Sequence, residues 1–254
     1  LETRTALELE IYPHVVSLAR GVIGEAFSER VITPGVTTTD DVAWYIRQRY
    51  ADLGLPVWFM PSVNLQRQGQ ACGADTPFCG TSGVIQRGDV LHTDVGITYL
   101  RMNTDTQEMG YVLRAGESDV PEDLRQALAT GNRWQDLLTT EFAVGRTGDE
   151  VFAATDAACK REGIQHATYS HPIGFHGHAA GASIGMWDNQ GPVPVTGAWR
   201  IAANTAYAIE GNVKVPLAAW GGQLVQIKLE QSAVFDGKAV TYLAGRQTRW
   251  HVVR

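Results

Sequence analysis

Four acidic side chains sit inside stretches that otherwise look like buried strand, and they constrain this chain more than any other feature. Asp94 lies in Leu91-His92-Thr93-Asp94-Val95-Gly96, and Asp105 lies in Asn103-Thr104-Asp105-Thr106. Glu210 closes the run Ala206-Tyr207-Ala208-Ile209-Glu210, and Glu230 closes Leu224-Val225-Gln226-Ile227-Lys228-Leu229-Glu230. A carboxylate removed from water is costly unless it is paired, hydrogen-bonded or bound to a cation. Two carboxylates side by side must share a proton or a cation. Taken singly, each segment leaves two readings open. Asp94 and Asp105 are either neighbours on adjoining antiparallel strands or ordinary turn and edge aspartates. Glu210 and Glu230 are either functional or strand-edge partners of Lys214 and Lys228.

A second cluster is His171-Pro172-Ile173-Gly174-Phe175-His176-Gly177-His178. Imidazole is the commonest metal ligand near neutral pH and the commonest general acid or base. In an extended segment His176 and His178 share a face; the other reading is a His-rich surface loop. Taken together, four carboxylates and an imidazole suit two divalent ions such as Mn, Fe, Co or Zn. A two-metal site of this kind can hold a hydroxide between the ions as nucleophile and polarise a carbonyl. No cysteine lies in these segments.

The rest of the chain is organised around these segments. With 44% hydrophobic residues in 254, it has ample material for one large core and does not fit a disordered chain. A net charge of −6 argues against a nucleic-acid or anionic-membrane partner. No apolar run approaches the roughly 18 residues of a membrane span. Apolar spacing predicts a helix over residues 5–30 with possible bends at Pro13 and Gly21, and a second from Thr38 or Thr39 to Gly54. Residues 57–66 are expected to be extended, 67–83 a Gly-rich loop, and 89–100 and 102–113 partner strands. Helices are expected from Pro121 to about Phe142 and from a capping box at Thr147-Gly148-Asp149-Glu150 to about Glu162. Short strands and loops then lead to residue 200, followed by strands over 205–215, 222–235 and 239–244. Two helices followed by strands occur twice, which hints at a duplication without a residue-level repeat. The expectation is one α+β domain over residues 1–254.

The three cysteines, Cys72, Cys79 and Cys159, cannot all pair within one chain and do not have zinc spacing. Reduced thiols are expected, although Cys72 and Cys79 share a Gly-rich stretch and can touch. The chain opens Leu1-Glu2-Thr3-Arg4, without an initiator Met or the plan of a signal peptide. An absent N-terminal domain and a cytoplasmic location are the expectations.

The order Asp, Asp, His, Glu, Glu resembles the pita-bread metallopeptidases, a family that includes methionine aminopeptidase, prolidase and aminopeptidase P. The family's two aspartates are eleven apart, as here (105 − 94 = 11). A second His follows the first by seven (178 − 171 = 7) within a motif like His171-Pro172-Ile173-Gly174, and Asp236-Gly237 follows Glu230 as the family's Asp-Gly turn does. The resemblance runs from about residue 8 to residue 248. It implies a pita-bread fold, two pseudo-symmetric helix-plus-antiparallel-sheet halves around a central metal site holding two divalent ions. Asp94 would chelate one metal, Asp105 and Glu230 would bridge, and His171 and Glu210 would bind the other. Glu210 would relay a proton between the bridging water and the leaving amine, and His178 would bind substrate and stabilise the tetrahedral intermediate.

The implied activity is hydrolysis of small peptides by a metal-bridging hydroxide, as in an Xaa-Pro dipeptidase or aminopeptidase, with a homodimer as a further expectation. The alternatives are a non-peptidase hydrolase or lyase on the same fold and a binding module without catalysis. The sequence departs from the family at three places. Residues 57–83 hold no His where family peptidases usually carry a substrate-binding one, Gly211-Asn212 follows Glu210 in place of Pro-Gly, and Pro172 stands in place of the motif Gly. His92, two residues before Asp94 and so on the same face, is expected either to bind substrate in place of the absent His, to orient a ligand, or to be packed within the sheet. Trp187, Phe175 and Tyr99 either shape an apolar pocket or belong to the core. The Cys72–Cys79 loop is a candidate lid.

Overall fold

The computed structural model describes residues 2–73, 75–178 and 180–254. Two helices open the chain, α1 (Ala6–Ala26) and α2 (Thr39–Asp52). Both begin with reciprocal capping boxes, Thr5 with Glu8 and Thr38 with Asp41, so their orphan backbone donors are satisfied locally. They are followed by β1 (Ser62–Gln66), β2 (Val90–Val95), β3 (Thr98–Tyr99), β4 (Met102–Asn103) and β5 (Thr106–Val112). The second half repeats the plan with α3 (Glu122–Thr140), α4 (Gly148–Glu162), β6 (His166–Thr168), β7 (His171–Pro172), β8 (Thr205–Leu217) and β9 (Gln223–Phe235), then the short β10 (Val240–Tyr242) and β11 (His251–Val253). The α4 capping box, Thr147 with Glu150, forms as expected, and Gly163 ends the helix in the left-handed conformation.

Several boundaries move for local reasons. The first helix ends at Ala26 rather than residue 30. The stretch 89–100 breaks at Gly96, where any Cβ would lie 2.2 Å from the Trp58 indole nitrogen. The partner stretch 102–113 divides around Thr104 and Asp105, after a tight turn in which Leu100 and Arg101 both have positive φ, the backbone of a two-residue hairpin. Extended structure over 57–66 contracts to β1.

The main sheet runs β1-β2-β5-β9-β8-β6, so β5 and β9 from the two halves meet at its centre. Every pairing along this path is antiparallel. Separate apolar clusters lie under each helix pair. One gathers Tyr12, Val16, Ile46 and Tyr50 with Leu91 and Val95, and the other gathers Leu128, Trp134 and Val151 with Ile209, Ile227 and Leu229. No helix among the described residues is long and apolar enough to cross a membrane.

Gly211 is needed for close packing in this sheet. A Cβ there would lie 2.4 Å from both the Ala167 carbonyl and the indole of Trp134, which is fully buried and donates to Thr168 Oγ1. Neither neighbour has room to move. Gly211→Ala is expected to lower stability by about 2–3 kcal/mol, read as an earlier urea midpoint. An unchanged midpoint would contradict this account of the packing.

Candidate metal centre

Register places the acidic side chains in one line across four strands. Asp94 on β2 faces Gln107 on β5, Gln107 faces Glu230 on β9, and Glu230 faces Glu210 on β8. Adjacent strands are about 4.8 Å apart, so side chains on one face of such a row converge. Asp105 lies two residues before Gln107 and shares its face. His171 on β7 pairs with Ala208, two residues before Glu210, and joins the cluster from the far side.

The geometry is compact. His171 Nε2 lies 3.4 Å from Glu210, 3.6 Å from Asp105 and 3.8 Å from Glu230. Three overlapping groups have ligand atoms within 4.8 Å of one another: Asp94 with Asp105 and Glu230, His171 with Glu210 and Glu230, and Asp105 with His171 and His178. Asp105, Glu230 and His171 each belong to two groups. His171 Nδ1 lies 2.9 Å from the Pro172 carbonyl and donates to it, leaving Nε2 as the one free nitrogen. A single lone pair cannot bridge two ions, whereas a carboxylate with two oxygens can. Asp105 and Glu230 are therefore the residues suited to bridging.

The cluster fits divalent cations on its own chemistry. Asp94 Oδ1, Glu230 Oε1 and His171 Nε2 are buried and have no hydrogen-bond partner. Three acceptors facing one another without donors are costly unless a proton or a metal lies between them. Burial raises the pKa of Asp94, Asp105 and Glu230 well above the ordinary carboxylate range, and the neighbouring carboxylates raise it further. Oxygen donors with one imidazole suit Mn, Fe, Co or Zn. The expected strand-edge pair of Glu230 with Lys228 is not how Lys228 is used: its ammonium donates to Asn64 Oδ1 and to the Cys79 carbonyl. Burial pushes Lys228 down to about 7, against the opposing attraction of Asp94.

Gln107 has no counterpart in the sequence expectations. Its amide donates to Glu210 at 2.6 Å and to Glu230 at 3.0 Å. Its own oxygen accepts from His92 Nε2 at 2.8 Å, and His92 Nδ1 meets the Asn64 amide nitrogen at 3.1 Å. His92 is buried, 4% exposed, with both ring nitrogens engaged. It thus lies behind the acidic row and touches it through Gln107.

His178 stands at the mouth of the cluster. Its ring lies 4.6 Å from that of His171 and 5.3 Å, edge to face, from that of Trp58. Partial burial and the nearby His171 lower its pKa. Trp58 is itself held by a 2.8 Å bond from its indole to the Thr104 carbonyl, and Gly177 lets it approach, since a Cβ there would be 2.1 Å from the indole ring. Nothing in the sequence distinguishes Trp58 from a core tryptophan.

His171, His178 and Glu210 open into a cavity of about 670 Å³ that Phe78, Tyr169 and Trp187 also line. None of the three aromatics weighed in the sequence as pocket or core is buried. Trp187 lines this cavity, Phe175 packs edge to face on His176, and Tyr99 lies on the β3–β4 hairpin. The reduced thiols expected at Cys72 and Cys79 are corrected: the two form a disulfide, their Cα atoms 5.5 Å apart. Thr76 and Cys79 are hydrogen-bonded to side chains of β8 and β9, which holds this end of the bridge in place. Cys159 is a buried free thiol, as expected.

Known structures share this architecture. The X-Pro aminopeptidase of Thermotoga maritima superposes with a TM-score of 0.73 at 17% identity, over 99% of this chain and 65% of its own. Prolidase from Pyrococcus furiosus superposes at 0.66 with 16% identity, over 97% of this chain and 66% of its own. Methionine aminopeptidase from Thermotoga maritima gives 0.63 at 17% identity, over 95% of this chain and 98% of its own. This chain therefore spans about two thirds of the X-Pro aminopeptidase it matches. The fold is the pita-bread fold expected from the residues. No curated protein matches the sequence. The family model of metallopeptidase family M24 matches residues 13–230, which takes in all five of the Asp, His and Glu residues in the cluster. On that match the chain belongs to metallopeptidase family M24.

Proposed function

We propose that this protein is a dinuclear metal-dependent hydrolase that cleaves small peptides as an Xaa-Pro dipeptidase or aminopeptidase does. The observation that carries the reading is the overlap of three ligand groups, two joined through Glu230 and two through Asp105, together with the unpartnered acceptors of Asp94, Glu230 and His171. In this reading Asp94, Asp105, His171, Glu210 and Glu230 hold two ions such as Mn, Co, Zn or Fe. When bound, such ions supply Lewis acidity, lowering the pKa of water and polarising the carbonyl. The chain's own residues do the rest. Glu210, the carboxylate ligand that also lines the cavity, carries the proton from water to the leaving amine. His178, braced by Trp58, donates to the developing oxyanion. Gln107 keeps the Glu210 and Glu230 carboxylates aimed at the site.

The test is a library of short peptides, with Xaa-Pro dipeptides and tripeptides, given to metal-stripped protein with Mn or Co restored. Metal-dependent cleavage and two bound ions per chain are expected. A second reading, a non-peptidase hydrolase or lyase, is favoured by one observation: the segment upstream of Asp94 brings Phe78, and no histidine, to the cavity. Turnover of non-peptide amides or esters with every peptide untouched would replace the first reading with the second.

His92 acts through Gln107 in this account. His92→Ala is expected to weaken Mn binding by about tenfold to a hundredfold, the usual effect of losing a group that orients a ligand. Titration calorimetry reads this directly. Wild-type affinity and turnover would remove His92 from the site.

A further inference from the structure

We propose that Phe78, held by the Cys72–Cys79 disulfide, determines specificity by forming one wall of an apolar subsite. The subsite takes a large apolar side chain of the substrate residue beside the bond cleaved. The inference rests on the hydrolase reading of the same cavity and narrows its substrate class.

Four large apolar side chains around this cavity are partly exposed: Phe78 at 44%, Trp187 at 51%, Trp199 at 42% and Met186 at 38%. Apolar surface left open around a concavity with a few convergent polar groups is the usual form of a ligand site. Phe78 faces Trp187 with ring centroids 5.7 Å apart and meets Tyr169 edge to face at 5.9 Å. Among the described residues lining the cavity, the ionisable groups other than Tyr169 are three histidines, His171, His176 and His178, and Glu210. An acidic substrate side chain laid against the faces of Phe78 and Trp187 would lose water without gaining a partner there, whereas an apolar one gains contact area.

Phe78 occupies this wall because its loop is tied down on both sides. The disulfide closes residues 72–79. The Cys79 N–H donates to Gln226 Oε1 at 2.7 Å, and the Gln226 amide donates to the Pro77 carbonyl at 2.8 Å, so the residues flanking Phe78 are clipped to β9. Lys228 donates to the Cys79 carbonyl at 3.0 Å, and Lys214 on β8 donates to the Thr76 carbonyl at 2.6 Å. A preformed wall spares the substrate the entropy of ordering a loop. This makes the loop a fixed wall and not the lid that its Gly-rich sequence suggests.

The experiment measures binding of the amides of alanine, leucine, phenylalanine and aspartate to the Mn-loaded full chain by calorimetry. Hydrolysis of peptides carrying the same residues is measured alongside. Leucinamide and phenylalaninamide are expected to bind at least about tenfold more tightly than alaninamide, with aspartamide weakest. In Phe78→Ala that preference collapses, in Phe78→Leu most of it remains, and in the double variant Cys72→Ala, Cys79→Ala it narrows. Circular dichroism and retained Mn binding establish that each variant is folded. Should Phe78→Ala fail to fold, Trp187→Ala, which removes the ring packed beside Phe78 on the same wall, gives the same readout. Equal affinity for the four amides overturns the proposal, as does a preference that survives in folded Phe78→Ala. Apolar preference without hydrolysis of any peptide supports the subsite and rejects the peptidase reading. Hydrolysis without apolar preference does the reverse.

Discussion

Replacing Glu230 by alanine is expected to lower metal-dependent peptide hydrolysis by about a thousandfold or more, some 4 kcal/mol of transition-state stabilisation. Glu230 is 1% exposed and belongs to two of the three ligand groups, so in the proposed two-ion site its loss would remove a donor from both ions. Its neighbours cannot compensate, because Glu210 and Gln107 are fixed by strand register directly opposite it. Bound metal per chain should fall, and the rise in melting temperature on adding Mn should disappear with it. The metal-free fold should be spared, which separates this residue from a core position. Glu230 is crowded by Asp94, Asp105 and Glu210, and removing one of several buried like charges relieves repulsion. The check is parallel: steady-state rates, elemental analysis, and melting curves with and without Mn. Full metal content with turnover within tenfold of wild type would show that Glu230 is not a ligand.

The crowded carboxylates are expected to contribute to stability with opposite pH dependence in metal-free and metal-loaded protein. In the metal-free chain Asp94, Asp105 and Glu230 have folded pKa values well above those of the unfolded chain, which lie near 4. Between those limits the folded state holds more protons than the unfolded one. The stability this linkage contributes is fully present below the unfolded values and is lost as pH rises through the folded ones. These carboxylates should therefore add stability to the metal-free protein as pH falls toward their unfolded values, by on the order of 1 kcal/mol per pH unit for each proton taken up, against the opposing contribution of His92, His166 and His178, whose pKa values burial lowers. Below about 4 the trend should turn. Although burial opposes it, bonds from His251 and Arg20 hold Glu108 below its ordinary range, and such a group loses its contribution on acidification. With excess Mn the carboxylates must be ionised to bind, so acid should weaken binding and lower the melting temperature from pH 7 downward. Melting curves from pH 4 to 8, with chelator and with Mn, test both limbs. With chelator, the stability of the wild type relative to Glu230→Gln should rise as pH falls; a difference that stays flat or shrinks would show that the carboxylates are not crowded as described.

The candidate ligands were legible because each breaks a local rule. A carboxylate inside an apolar strand advertises its own cost, and four of them with His171 define a donor set before any contact is known. The helix starts were equally legible, since a capping box is completed within four residues, as at Thr147 and Glu150. Gln107 broke no rule: an amide in a strand is ordinary, and its bond to Glu230 spans 123 residues of chain. Trp58 and Phe78 look like core aromatics until Gly177 lets Trp58 pack on His178 and the disulfide loop sets Phe78 at the cavity. The Cys72–Cys79 bond was not expected because nothing in the sequence implies an oxidising compartment, whereas the ties of Cys79 to Gln226 and Lys228 help bring the two thiols together.

By itself the sequence determined which residues are expensive to bury, which stretches are helix or strand, and, through the two-residue period of a strand, that His92 and Asp94 share a face. Only the tertiary structure decided that Asp94, Gln107, Glu230 and Glu210 form one row, and that His92 serves that row from behind through Gln107. The physical reason is register. Period two says which face a side chain takes, but how far one strand slides along another is decided by the apolar layers packed beneath both halves of the sheet.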